Sequence, residues 1–304
     1  MYRFLRKLFF FLLYPVIAII LIETFCNLLN IPKASYSNLE AKGLTLIPKV
    51  DNSSIILVGD SRIEWGIKPE MILNPEGEVY NLAFPNSNGF DILKYLLDNR
   101  IYPKAIIMGF TPNNHRYTNH NFDTMEFSAK NRMIENVKYY LKQNSYVYDW
   151  GSILSYFYGT HPFTIDHSYD KWGGVTVTEH GDFEHRFKMT KEHHKEWEET
   201  FDSLKYQHYI IELNDLLNKF RGKSELFGLY MPASEPIMKL EGTYYNKKEI
   251  RPLFEHYLDY SKSIQANDST YYLDGSHLSK EFAIRFSKKI DSVLKLSKTT
   301  NKPY

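Results

Sequence analysis

Five short runs of almost uninterrupted apolar residues are the strongest constraint that this sequence places on its fold. The runs cover residues 54–58, 79–83, 105–110, 226–231 and 270–273. Such runs are typical of strands that are covered on both faces. Helical patterns at 91–99, 254–264 and 280–296 alternate with them. The alternation predicts a three-layer α/β/α fold around a five-stranded parallel sheet in flavodoxin-like order.

The stretch between the third and fourth runs does not fit this alternation and is interpreted as a helical insertion over about 115–220. Helical patterns cover 126–143 and 188–220, and residues 152–159 are rich in aromatic side chains. We expect the insertion to lie over the active edge of the sheet, where added segments set substrate preference. Its aromatic residues suit either contact with sugar rings or burial in a core, the commoner use; they are Tyr156, Phe157, Tyr158, Phe163, Tyr169 and Trp172.

The N-terminus has the pattern of a targeting segment. Arg3, Arg6 and Lys7 precede an apolar stretch over residues 8–22. This pattern predicts a single-pass membrane anchor with the N-terminus in the cytoplasm and the remainder of the chain outside it. A cleaved signal peptide is the alternative, but no small-x-small cleavage site follows the stretch. The expected organisation is an anchor over 1–30, a linker over 31–52, a domain over 53–297 and a tail over 298–304.

The charge balance and cysteine content exclude several classes of protein. With 37 basic and 36 acidic residues the net charge is +1, which argues against nucleic-acid binding. Cys26 is the single cysteine, so the chain has no intrachain disulfide framework and no cysteine-rich zinc site. No glycine-rich phosphate loop follows any predicted strand, and no cofactor is expected.

Two short motifs carry most of the chemical information. The string Gly-Asp-Ser at 59–61 follows the first apolar run, and Asp-Gly-Ser-His at 274–277 follows the last. The carboxyl ends of parallel strands open on the same edge of a sheet, so these motifs can meet there. Ser61 would be the nucleophile, His277 the general base, and Asp274 the group that orients the imidazole.

Simpler explanations exist for some of these residues. Asp60 and Ser61 before a helix also suit N-terminal capping, and we expect Asp60 to cap backbone N–H groups rather than to join the triad. A histidine- and glutamate-rich cluster offers a competing metal site. Its members are His180, Glu184, His185, His193 and His194. Because it lacks a metal-binding motif such as His-Glu-x-x-His, a solvated charged face is the favoured interpretation and no metal is expected.

The two motifs and their order resemble those of the SGNH/GDSL hydrolase superfamily, over about residues 53–295. The resemblance implies an oxyanion hole built from the backbone N–H of Ser61 and from two further blocks. The second block, at 81–86, has Asn86 where a glycine is usual, and the third block, at 109–114, is longer by two residues. Asn86 and either Asn113 or Asn114 are therefore the expected donors.

The resemblance also implies a function. Members tethered outside the membrane often add or remove acetyl or similar groups on cell-surface or secreted polysaccharides. The expected partners are thus an acylated glycan or acyl donor, the membrane, and a possible envelope-assembly protein. The alternative is that the altered blocks have cost the protein its catalysis, which would leave a polysaccharide- or partner-binding component of an export or assembly system.

Overall fold

A computed structural model describes residues 2–29, 42, 45–112, 114–116, 166–178, 182–242, 247–261, 263 and 268–300. The chain divides into two compact units, one of residues 1–44 and 126–164 and the other of residues 45–125 and 165–304. The described part of the first unit is mainly the helix α1 (Tyr2–Leu28). Over the described ranges, no helix combines the length and the apolar character that crossing a membrane requires.

The second unit contains a parallel sheet. Its strands, with a separate hairpin, are β1 (Ile55–Val58), β2 (Val79–Asn81), β3 (Ala105–Phe110), β4 (Asp166–Tyr169), β5 (Val175–Thr178), β6 (Glu225–Tyr230) and β7 (His256–Asp259). The sheet has the order β2-β1-β3-β6-β7 with every pair parallel, and β4 and β5 pair antiparallel. Counting only the strands of the sheet, this is the order 2-1-3-4-5 of flavodoxin-like folds. The α/β class and the five-stranded parallel sheet are thus confirmed.

Helices flank this sheet. They are α2 (Ser61–Gly66), α3 (Phe90–Asp98), α4 (Phe183–Glu199), α5 (Ser203–Phe220), α6 (Glu235–Glu241), α7 (Lys247–Ile250) and α8 (Lys280–Thr300). Helix α3 packs against α5, where the rings of Phe90 and Tyr209 stack at 5.1 Å. Helix α8 packs against α2.

One part of the core lies between the central strands and α8. On one face, the alternate residues of β1, β3 and β6 are buried in one cluster with one side of α8. The α8 members are Ala283, Phe286, Ile290 and Leu294, at intervals of three and four residues. This spacing places them on one face of a helix. The continuous burial of β1 and β3 explains why their apolar runs were recognisable in the sequence.

The fifth strand is not where the sequence predicted it. Residues 270–273 do not form a strand, and β7 (His256–Asp259) lies inside the segment predicted as the helix 254–264. β7 is an edge strand with only partial burial, so its residues need not be continuously apolar. Tyr272 and Leu273 are buried for another reason, because their segment folds back through a bridge between Tyr272 and Leu278.

The predicted insertion is only partly helical. The stretch 188–220 is not one helix: α4 ends at Glu199, and α5 starts again after Asp202, whose carboxylate accepts hydrogen bonds from two N–H groups of the new helix. The hairpin of β4 and β5 was not predicted. The expected helix at 126–143 and the aromatic segment at 152–159 lie outside the described residues.

Candidate active site

Ser61 stands at the first position of α2, directly after the tight turn that follows β1. Gly59 has a φ of 144°, and a Cβ there would lie 3.0 Å from Ile63 Cγ1 and 3.1 Å from the carbonyl oxygen of Gly109. Glycine is therefore required for the close approach of the turn to β3. Asp60 caps α2 by accepting a hydrogen bond from the N–H of Arg62, which confirms its expected capping role.

His277 is held by a compact loop that precedes α8. Asp274 Oδ1 accepts hydrogen bonds from the N–H groups of Ser276 and His277, both at 2.9 Å. Gly275, between Asp274 and Ser276, has a φ of 86°, which glycine adopts without strain. The carbonyl of Gly275 accepts a hydrogen bond from the N–H of Ser234, so the loop is also anchored to the segment after β6.

The structure brings the three predicted catalytic side chains together, although 216 positions separate the first from the last. Ser61 Oγ lies 2.8 Å from His277 Nε2, and His277 Nδ1 lies 2.9 Å from Asp274 Oδ2. A carboxylate accepts hydrogen bonds, so Nδ1 carries the proton and Nε2 can accept the serine proton. This is the arrangement that activates a serine hydroxyl.

The environment keeps Asp274 ionised. Burial by itself raises the pKa of this carboxyl, but the electrostatic interaction and hydrogen bond with His277, together with the two backbone N–H groups, outweigh it and lower the pKa well below its usual range. Thr190 Oγ1 donates a further hydrogen bond to Asp274 Oδ2 at 3.2 Å. On its other side, the imidazole of His277 packs against the ring of Trp65, with centroids 4.2 Å apart. The base is thus oriented by contacts on two sides.

Asp60 differs from Asp274 in its electrostatics. Burial raises the pKa of Asp60, although Arg62 and the hydroxyl of Thr111 act in the opposite direction. Thr111 Oγ1 lies 2.5 Å from Asp60 Oδ2 and 2.6 Å from Asn114 Oδ1. A hydroxyl has one hydrogen and cannot donate to both oxygens. The geometry is satisfied when Asp60 is protonated. Its O–H then donates a hydrogen bond to Thr111 Oγ1, and the hydroxyl of Thr111 donates one to Asn114 Oδ1.

A buried ion pair, formed by Arg62 and Glu241, lies next to the three predicted catalytic side chains. Arg62 contacts Glu241 through both terminal nitrogens, at 2.5 and 3.3 Å, and its Nε donates to Ser276 Oγ at 2.9 Å. Tyr230 donates to the same Glu241 carboxylate at 3.0 Å. The side chains of Arg62 and Glu241 are 3% and 0% exposed, so each charge depends on the other for compensation.

A cleft of about 170 Å³ opens onto the triad. Its walls come from the turn around Ser61, from the loop around His277, from Thr111, and from one face of α4. The α4 residues are Thr190, His193, His194 and Trp197, which follow the helical spacing of three and four residues. α4 belongs to the predicted insertion, so the expectation that the insertion lies at the active edge holds for this helix.

One expected oxyanion donor, the side chain of Asn114, requires correction. The side chain of Asn114 is fully buried, and its Nδ2 donates a hydrogen bond to the carbonyl of Gly109 at 3.3 Å. The amide is thus engaged by the backbone and offers no donor to the cleft. Asn86 has the expected positive φ, 56°, but it is exposed and is not among the residues that line the cleft. Asn113 lies outside the described residues. The N–H of Ser61, in the first turn of α2, has no partner within the helix and stays the expected donor.

The histidine-rich segment is not simply a solvated face. His194 is 2% exposed and lines the cleft, whereas its neighbour His193 is exposed. Among the described residues, no group of three or more His, Cys, Asp or Glu side chains is placed to hold a metal ion. His180 lies outside the described residues.

Several residues were not assigned to this site from the sequence, although His194 was considered as a metal ligand and Thr111 and Ser276 lie within the recognised motifs. They are Arg62, Trp65, Thr111, Thr190, His194, Trp197, Glu241 and Ser276. The spacing of Thr190, His194 and Trp197 along one helix face was a usable signal. No sequence signal related Glu241 to Arg62, because the two lie far apart in the chain.

The fold and the site together define an α/β protein with a Ser-His-Asp arrangement at the carboxyl edge of a parallel sheet. The sequence matches no protein-family model, and the search of curated proteins found no match. The case for a function consequently depends on the geometry of this site.

Proposed function

We propose that this protein is a serine esterase or O-acyltransferase that works through an acyl-enzyme, as its resemblance to SGNH/GDSL hydrolases implies. The observation that carries the proposal is the continuous hydrogen-bonded series Ser61 Oγ, His277 and Asp274, with contacts of 2.8 and 2.9 Å. A serine that only capped a helix would not need an imidazole oriented by a carboxylate at its hydroxyl.

In the first half of the reaction, Ser61 Oγ attacks the carbonyl carbon of an acyl ester and gives its proton to His277 Nε2. Asp274 stabilises the imidazolium that forms. The N–H of Ser61 donates to the oxyanion. The tetrahedral intermediate then expels the alcohol, which takes the proton from His277, and the acyl group stays on Ser61.

In the second half, water or another alcohol gives its proton to His277 and attacks the acyl-enzyme carbonyl. Collapse of the intermediate returns the proton to Ser61 and releases an acid or a new ester. The resemblance favours acyl groups, above all acetyl, on cell-surface or secreted polysaccharide as the substrate. It also favours attachment to the membrane through the N-terminal segment, with the second unit outside the cytoplasm.

The test uses Ser61→Ala with a control that has the same local sequence. Ser203 also stands at the first position of a helix behind a capping aspartate, Asp202, but it is exposed and does not line the cleft. We expect Ser61→Ala to lose hydrolysis of 4-nitrophenyl acetate and labelling by a fluorophosphonate, and Ser203→Ala to retain both. Equal labelling of Ser61→Ala and the unaltered protein would exclude Ser61 as the nucleophile.

A second candidate function is binding of glycan or a partner protein without catalysis. The observation that favours it is the buried amide of Asn114, which is bonded to Gly109 and so offers no side-chain donor to an oxyanion. This alternative predicts no esterase activity in the unaltered protein, together with glycan binding that Ser61→Ala leaves intact.

A further inference from the structure

His194 is a second histidine in the cleft that the proposed mechanism does not use. Its side chain is 3% exposed and projects from α4 toward the same space as His277. Its Nδ1 is itself buried and lies 3.4 Å from Glu241 Oε1, longer than a full hydrogen bond. Nδ1 is buried beside the carboxylate of Glu241, whereas Nε2 is not among the buried atoms without a partner, so Nε2 is the nitrogen on the cleft side.

The surroundings of His194 determine its tautomer and charge. The 3.4 Å contact is not a hydrogen bond, but a lone pair on Nδ1 would be repelled by the Glu241 carboxylate, so the neutral ring carries its proton on Nδ1 and its lone pair on Nε2. Burial and the positive charge of Arg62 lower the pKa of His194 well below its ordinary value, so the ring is neutral at pH 7. The cleft therefore contains a hydrogen-bond acceptor that has no proton to donate.

The arrangement resembles that of the triad, but it lacks both the hydrogen bond at Nδ1 and a serine. In both cases a carboxylate stands behind Nδ1 and leaves Nε2 facing the cleft: Asp274 behind His277, and Glu241 behind His194. His277 Nε2 meets the hydroxyl of Ser61. No hydrogen bond joins His194 Nε2 to another of the described residues, and the imidazole packs against the half-buried ring of Trp197, with ring centroids 4.6 Å apart.

We propose that His194 is a specificity-determining residue whose Nε2 accepts a hydrogen bond from a second hydroxyl group of the substrate alcohol. The inference rests on the proposed acyl transfer and adds to it the class of alcohol. The hydroxyl that loses or receives the acyl group meets His277, and a neighbouring hydroxyl of the same molecule meets His194. The apolar ring of Trp197 covers the carbon skeleton between them. The preferred alcohol is therefore a polyol rather than a simple alcohol.

The same contact operates in both directions of the reaction. By microscopic reversibility, the subsite that holds the departing alcohol in acylation also holds the accepting alcohol in transfer. A hydrolysis assay therefore tests the proposal whether the natural acceptor is water or a sugar. Glycerol 1-acetate and propyl acetate are suitable probes, because they differ only in the two additional hydroxyl groups.

The experiment compares two substitutions that each preserve one edge of the imidazole. The side chain of His194→Asn keeps a donor near Nδ1 for Glu241 and loses the group at Nε2, whereas His194→Gln keeps a polar group near Nε2. The unaltered protein should hydrolyse glycerol 1-acetate with a kcat/KM at least about tenfold above that for propyl acetate. A tenfold ratio corresponds to the free energy of about one good hydrogen bond. His194→Asn should lose this preference and His194→Gln should retain most of it. His208→Asn, an exposed histidine of α5, is the control.

The outcomes separate this proposal from the proposed function. No preference in the unaltered protein, or a preference that survives in His194→Asn, overturns the role of His194 while fluorophosphonate labelling of Ser61 still supports the nucleophile. Failure of labelling refutes the proposed function instead. A third measurement does not depend on turnover: nitrogen NMR of the ring should show the neutral tautomer with hydrogen on Nδ1. Hydrogen on Nε2 would contradict the proposal.

Discussion

Arg62 donates a hydrogen bond from Nε to Ser276 Oγ at 2.9 Å, and thus links the residue after the proposed nucleophile to the residue before the proposed base. The terminal nitrogens of the same guanidinium bind Glu241. One buried cation therefore holds the turn after β1, the loop before α8 and the end of α6 in a fixed relation. We expect this relation to help keep Ser61 and His277 within hydrogen-bonding distance.

Loss of this cation should destabilise the protein strongly. Arg62→Met leaves the fully buried carboxylate of Glu241 without compensation, so we expect a loss of about 3–5 kcal/mol in the free energy of unfolding. The double variant Arg62→Met with Glu241→Met buries no charge and should be more stable than the single variant. Urea denaturation measures both. A single variant within about 1 kcal/mol of the unaltered protein would show that the pair is not compensating a buried charge.

The two aspartates at the cleft should respond differently to conversion into asparagine. Asp274→Asn removes the charge that orients His277, and we expect kcat to fall by about 10⁴-fold, the order found for the same change in a serine-protease triad. Asp60→Asn keeps an acceptor for the N–H of Arg62 and offers an amide donor to Thr111, as a protonated Asp60 would. Its kcat should stay within about tenfold of the original value.

Hydrolysis of 4-nitrophenyl acetate measures both aspartate variants under the same conditions. The protonation of Asp60 can also be followed directly, through the carboxylic-acid band in the infrared spectrum that Asp60→Asn should remove. Equal losses of kcat in Asp274→Asn and Asp60→Asn would mean that Asp60, as well as Asp274, contributes to the function of the His277 imidazole.

Gly275 should be intolerant of a side chain for two separable reasons. Its φ of 86° disfavours any other residue, and a Cβ would lie 2.6 Å from Cδ2 of Phe187. Gly222 provides a matched control, with a φ of 72° and no heavy atom within 4 Å of the added Cβ. We expect Gly222→Ala to cost about 1–2 kcal/mol of stability without affecting turnover. Gly275→Ala should cost more and should also reduce kcat, because it displaces the loop of Asp274 and His277.

Thermal or urea unfolding and the esterase assay, applied to both glycine variants, separate backbone strain from the clash. If Gly222→Ala and Gly275→Ala lose the same stability and neither loses turnover, the contact with Phe187 does not shape the loop.

Stability should fall as the pH is lowered from 7 to 5. Burial lowers the pKa of both His194 and His115 in the folded state, so the unfolded chain binds more protons below the ordinary histidine value of 6.5. The contribution of the two histidines to the free energy of unfolding is present above about pH 6.5 and is lost as the pH falls through their pKa values in the folded state. Each proton taken up on unfolding adds a slope of up to about 1.4 kcal/mol per pH unit.

The measurement is the free energy of unfolding of the unaltered protein and of His194→Asn at several pH values. The variant should show the shallower slope, because of the two buried histidines only His115 still contributes. The raised pKa of Asp60 acts in the opposite direction but is common to both proteins, so it cancels in the comparison. Identical slopes would mean that His194 is not buried as a neutral ring.

The full chain should fractionate with membranes. The prediction depends on the basic residues and the apolar stretch at 8–22. Alkaline carbonate should fail to extract the full chain, whereas a chain that begins at residue 31 should appear in the supernatant. Extraction of the full chain by carbonate would rule out an integral anchor.

Much of the fold could be predicted because the central strands are buried on both faces. β1 and β3 contain only apolar side chains or glycine, so their positions were evident from hydropathy. β7 could not be found in this way, since an edge strand is half solvated and its sequence His-Tyr-Leu-Asp has no continuous apolar pattern. The segment around Tyr272 misled the prediction because burial, which hydropathy reports, does not distinguish a strand from a packed turn.

The sequence by itself determined the three proposed catalytic residues and their order, because Gly-Asp-Ser and Asp-Gly-Ser-His are local motifs whose turn chemistry is encoded in adjacent residues. Only the tertiary structure decided which groups surround them. The ion pair of Arg62 and Glu241, the neutral His194 on α4 and the inward-facing amide of Asn114 arise from contacts between distant segments. Burial and charge compensation at such contacts depend on the three-dimensional neighbours of each atom, and no local pattern of residues records them.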